Sequence, residues 1–91
     1  MAYKKSFLAG EEIYKAGQNS NGAFIIESGT VSLYTNMDFH LVTLGEGELF
    51  GELGQVVDEQ RSVTAIARTE CQLKHIPRNV WMRSLRILIL R

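Results

Sequence analysis

The chain has 91 residues, ten basic and ten acidic, and a formal net charge of zero. That length holds one domain, expected over residues 1–91, and a 45% hydrophobic, 22% charged composition belongs to a folded globular chain. Zero net charge argues against a general polyanion binder, so no nucleic-acid partner is expected. The apolar C-terminal run falls far short of the ~20 residues a membrane span needs.

Glycines punctuate the sequence at positions 10, 17, 22, 29, 45, 47, 51 and 54. Short segments of β-type residues lie between them, the pattern of an all-β sandwich or barrel. Ile13-Tyr14 reads as a short strand, and Ala23–Glu27 as a second that turns at Ser28-Gly29 into Thr30–Tyr34. There Val31 and Leu33 alternate with Thr30 and Ser32, predicting one buried and one wet face. Asn36–Asp38 reads as a hairpin loop before a strand over Phe39–Leu44, and Gly45–Glu48 closes that strand. Gly45 and Gly47 are expected to form turns rather than touch a ligand. Leu49-Phe50 begins a further short strand, and a turn or two of helix is expected over Glu52–Val57. Ser62–Ala67 and Cys71–Ile76 complete the strands. Pro77 suits a helix start, and Val80, Trp81, Leu85 and Leu88 recur at helical spacing after it. The predicted fold is a mainly β, antiparallel, jelly-roll-like β-roll with a short internal helix and an exit helix.

The segment from Gly45 to Ala65 carries the chemistry. A helix opening at Gly51 exposes unpaired backbone N–H groups and lets a ligand approach closely. Arg61 follows Glu52 by nine residues, enough chain to fold back and present a guanidinium. The planar arginine fork donates two parallel hydrogen bonds to a phosphate. Glu52 repels a bare phosphate but accepts hydrogen bonds from a hydroxyl, and a ribose supplies one. Acid, base and helix N-terminus together specify a sugar-phosphate. The plain alternative for Glu52 and Arg61 is an exposed ion pair of little energetic consequence.

These residues resemble the phosphate-binding cassette of cyclic nucleotide-binding domains, found in bacterial catabolite activator proteins, protein kinase A regulatory subunits and cyclic-nucleotide-gated channels. The resemblance spans nearly the whole chain. Phe7–Gly17 is similar to the family's opening strand pair, Ala23–Val31 to its central hairpin, and Phe50–Gly54 with Arg61-Ser62 to its cassette. It implies a ligand site of Gly51, Glu52, Leu53, Gly54, Arg61, Ser62 and Val63. Glu52 would take the ribose 2′-hydroxyl and Arg61 the exocyclic phosphate oxygens. Gly51, Leu53 and Gly54 would contribute backbone, and Ser62 a hydroxyl or N–H. The implied ligand is cAMP or cGMP, between which Ser62 does not decide.

Two positions depart from the family pattern. Gln55 stands where an apolar residue usually couples ligand to the hinge helix, and Val63 where a small residue is usual. The family's lid helix over the base is expected to be missing. Leu85–Arg91, apolar on nearly all sides as a helix, is expected to meet an output domain, a partner chain or a second copy in a homodimer.

The single cysteine, Cys71, excludes an internal disulfide and reads as a core residue; with no signal peptide recognised, the expected setting is cytoplasmic. His40 and His75 read as ordinary strand residues without metal-ligand spacing, and no nucleophile elbow surrounds a serine. The expectation is a regulatory binding module with no catalytic cofactor, not an enzyme. The alternative is a ligand-insensitive β-roll that oligomerises through its apolar C-terminal helix.

Overall fold

A computed structural model describes residues 3–20, 22–51 and 60–77. They form eight strands: β1 (Tyr3–Phe7), β2 (Glu12–Tyr14), β3 (Gly22–Ser28), β4 (Val31–Tyr34), β5 (His40–Leu44), β6 (Leu49–Phe50), β7 (Thr64–Ala67) and β8 (Cys71–Pro77). Two four-stranded sheets result, in the orders β1-β8-β3-β6 and β2-β7-β4-β5, and every pairing is antiparallel. The predicted β-roll is therefore present. The expected helices over Glu52–Val57 and beyond Arg78 lie outside the described residues. Among the described residues, no helix is long and apolar enough to cross a membrane.

The two inner faces meet in one core. Ile26 and Leu73 of the first sheet face Val31, Ala65 and Ala67 of the second, all buried, with Cys71 beside them as expected. The two alanines of β7 keep the layers close. At one end, Tyr14, Phe24 and Phe50 fill the gap between the sheets as an aromatic cluster. Phe24 and Phe50 stack at 5.3 Å, and Tyr14 lies 6.0 Å from each. His75 of β8 extends this cluster, stacking on Phe24 at 4.9 Å.

Several local readings change. β1 lies upstream of the strands read from residue pattern, because its face is largely exposed and carries two lysines. It is held by backbone pairing with β8, from Tyr3 opposite His75 to Phe7 opposite Cys71, and by a Ser6 Oγ–Gln72 Oε1 hydrogen bond of 2.8 Å. Ser32, expected on a wet face, is buried. Its strand lies between β7 and β5, and its hydroxyl shares a 3.2 Å hydrogen bond with Thr43 of β5. Pro77, read as a helix start, is the last residue of β8 and stands opposite Gly22. Ser62 and Val63 form bends that precede β7 rather than its first residues.

The Gly45–Glu48 turn is as expected. Gly47 adopts a φ of +85°, and the Glu48 carboxylate accepts a 2.6 Å hydrogen bond from the Gly45 N–H. At the β4–β5 hairpin, Thr35 and Phe39 close the loop through a 2.8 Å backbone bond, and Asp38 takes a φ of +68°.

Candidate ligand site

Arg61 is fixed first through its backbone. Its N–H donates to the Gln18 carbonyl and its own carbonyl accepts from the Gly17 N–H, both at 2.8 Å. A bridge between Asn19 and Gln60 extends this clamp. The same turn is tied to β7 by a 3.0 Å hydrogen bond from the Ala16 N–H to Thr64 Oγ1, a buried acceptor. Thr64→Val keeps the shape but strips the acceptor from a partly buried N–H. A loss of about 1–2 kcal/mol is expected, visible as a lower urea midpoint with an unchanged slope.

The Arg61 side chain turns into the protein and is only 5% exposed. Its Nη1 donates to the Gly51 carbonyl at 2.7 Å and its Nη2 to the Gly22 carbonyl at 2.6 Å. The guanidinium carbon lies 4.0 Å from the centre of the Tyr14 ring and 5.8 Å from that of Phe24. A guanidinium withdrawn from water must be compensated by hydrogen bonds and charge. Two carbonyl acceptors and an aromatic face supply part of that. An exposed ion pair therefore does not describe Arg61.

Gly51 is built for this neighbour. Its φ is +81°, a region costly for any residue with a Cβ. An added Cβ would stand 2.7 Å from Arg61 Nη1 and 3.4 Å from the Tyr14 ring. Gly22 is equally confined at a φ of +145°, where a Cβ would overlap the Ile76 carbonyl and the His75 ring.

Of the seven residues expected to bind ligand, the described part brings Gly51 and Arg61 into direct contact. Ser62 is exposed in the bend beside Arg61, and Val63 is half-buried against the core. Glu52, Leu53 and Gly54 lie outside the described residues, as does Gln55. Sequence reasoning did not identify Tyr14 or the Gly22 carbonyl as partners of Arg61. Neither carries a motif: the pairing of β2 with β7 brings Tyr14 near Arg61, and Gly22 is met at the start of β3 only through the folded-in Nη2. A cavity of about 560 Å³ opens beside β1 and β2, lined by Lys5, Phe7, Ile13, Tyr14, Gln18 and Phe24 among others, and so shares with Arg61 the Tyr14 and Phe24 rings and the Gln18 turn.

The chain belongs to the cyclic nucleotide-binding domain family, whose model matches residues 4–86. A cAMP-dependent protein kinase regulatory subunit from Debaryomyces hansenii is 40% identical over 67 residues. That match covers 74% of this chain and 15% of the relative, so the chain spans only a small part of the curated relative's length. The cGMP-bound form of the EAL enzyme Bd1971 superposes with a TM-score of 0.88 at 25% identity, covering 92% of this chain and 23% of that one. PKAR CBD2 bound to Sp-2Cl-cAMPS gives a TM-score of 0.86 at 28% identity, covering 90% and 56% respectively.

Proposed function

We propose that this domain is a regulatory module that binds cAMP or cGMP by its ribose-phosphate and passes occupancy on to an attached or partner domain. The observation that carries the reading is the buried Arg61 fork, clamped through its backbone and set directly against Gly51, where the cassette opens. Arg61 takes the exocyclic phosphate oxygens, with the Ser62 hydroxyl or N–H beside them. Gly51, Leu53 and Gly54 offer backbone, Glu52 takes the ribose 2′-hydroxyl, and Val63 borders the pocket. Because the carbonyls of Gly51 and Gly22 already accept from Arg61, phosphate entry exchanges or shares these bonds.

The likeness to a regulatory subunit supports a binding rather than a catalytic role, with a kinase subunit as the partner class and the cytoplasm as the setting. Solved neighbours carrying a cAMP analogue and cGMP support either nucleotide as ligand. Thermal melting with cAMP, cGMP or 5′-AMP at equal concentration tests the reading. A ligand that binds only the folded state stabilises it by RT ln(1 + [L]/Kd), about 2.7 kcal/mol at a hundredfold excess over Kd. The midpoint should rise with at least one cyclic nucleotide and much less with 5′-AMP. Equal shifts with all three would contradict recognition of the cyclic phosphate.

A further inference from the structure

We infer that Tyr14 is a positioning residue for the phosphate arginine: its ring carries the Arg61 guanidinium and fixes the plane in which the fork meets the phosphate. This rests on the reading of Arg61 given above. The guanidinium carbon lies 4.0 Å from the Tyr14 ring centre, within the range of a cation–π contact. Both partners are buried, at 5% and 6% exposure, and desolvation strengthens that attraction.

The ring is itself held in place. It packs against both Phe24 and Phe50, and its strand pairs with β7, Tyr14 standing opposite Ala65. Arg61 sits three residues before the start of β7 and is clamped through its backbone to the turn that follows β2. Ring and guanidinium are therefore positioned by the same pair of neighbouring strands.

The carbonyls of Gly51 and Gly22 grip the fork at its two Nη atoms. Tilt of the plane about the line joining these atoms is opposed by a group packed on its face. The Tyr14 ring, its centre 4.0 Å from the guanidinium carbon, is that group. The tilt matters because parallel, two-point donation to a phosphate depends on the orientation of the guanidinium plane. A lysine ammonium has no such plane to orient.

Calorimetric titration of the 91-residue chain with cAMP tests the inference in wild type, Tyr14→Phe, Tyr14→Leu, Arg61→Ala and the Tyr14→Leu/Arg61→Ala pair. Tyr14→Phe keeps the ring face and should bind more tightly than Tyr14→Leu, which should bind roughly 3–30-fold more weakly than wild type. In the Arg61→Ala background the leucine should cost less than about twofold, because there is no longer a guanidinium to orient. Equal losses in both backgrounds, or none with Tyr14→Leu while Arg61→Ala still weakens binding, would overturn the inference and leave the phosphate role of Arg61 standing. Failure of wild type to bind would remove both. Should Tyr14→Leu not fold, the side-chain N–H protons of Arg61 in wild type provide the measurement. The Tyr14 ring current should move them upfield, and ordinary shifts would overturn the contact.

Discussion

Replacing Arg61 by alanine is expected to weaken cyclic-nucleotide binding by roughly 10–150-fold, because charge-assisted hydrogen bonds of about 1.5–3 kcal/mol are lost at 1.4 kcal/mol per decade. The change also reaches the unliganded fold. The Gly51 and Gly22 carbonyls each lose a donor, and the face of Tyr14 loses the group that covers it. A partly compensating gain comes from no longer burying a charge. Stability should therefore fall less than affinity, and far-UV circular dichroism should show an intact β signature at the temperature of titration. Calorimetry on the folded variant separates the two effects. Wild-type affinity in Arg61→Ala would exclude this side chain as the phosphate anchor.

Gly51→Ala should act in the opposite order, on the fold first and on the ligand through it. A φ of +81° costs an L-residue about 1–2 kcal/mol. The new methyl would stand 2.7 Å from Arg61 Nη1, with the Tyr14 ring at 3.4 Å. Relief requires moving either the guanidinium or the backbone, and overpacking of this kind typically costs about 1–3 kcal/mol. A combined destabilisation of roughly 2–5 kcal/mol is expected, read from the denaturant midpoint, together with weaker binding because the displaced guanidinium no longer presents its fork in the same place. Gly47→Ala is the matched control. It too replaces a glycine of positive φ, at +85°, but its Cβ meets nothing within 4 Å. It should show the backbone cost alone and leave affinity unchanged. Equal effects of the two substitutions would mean that the contact with Arg61 is of no consequence.

Much of the fold could be read from the sequence because glycines fall at turns whose backbone demands them. The strand over Ala23–Glu27 and the Gly45–Glu48 turn stand close to where the pattern put them, and the chain turns at Ser28-Gly29 into Val31–Tyr34, but β3 and β4 join different sheets and form no hairpin. β1 could not be read this way, since Tyr3–Phe7 has no buried alternating face and is held by pairing with a strand nearly seventy residues away. Ser32 misled for a related reason. Alternation predicts which side of a strand a residue faces, but not that flanking strands and a threonine hydroxyl will cover the polar side.

The candidate site was legible as chemistry and not as geometry. The expectation of a sugar-phosphate rests on the residue type and spacing of Gly51, Glu52 and Arg61. The depth of Arg61 and its carbonyl partners depend on Gly22 and Gly51, which arrive on β3 and just beyond β6. Tyr14 reads only as an apolar strand position until β2 is paired with β7. Arginine selects phosphate by its chemistry; its presentation here is set by an aromatic ring and two glycine carbonyls that no short motif encodes.

Isothermal titration of the folded 91-residue chain with cAMP and cGMP, beside 5′-AMP as the non-cyclic control, tests the central claim most directly. The account predicts saturable one-to-one binding of a cyclic nucleotide that is weakened in Arg61→Ala. No heat from either cyclic nucleotide at millimolar concentration, over a range of temperatures, would contradict it.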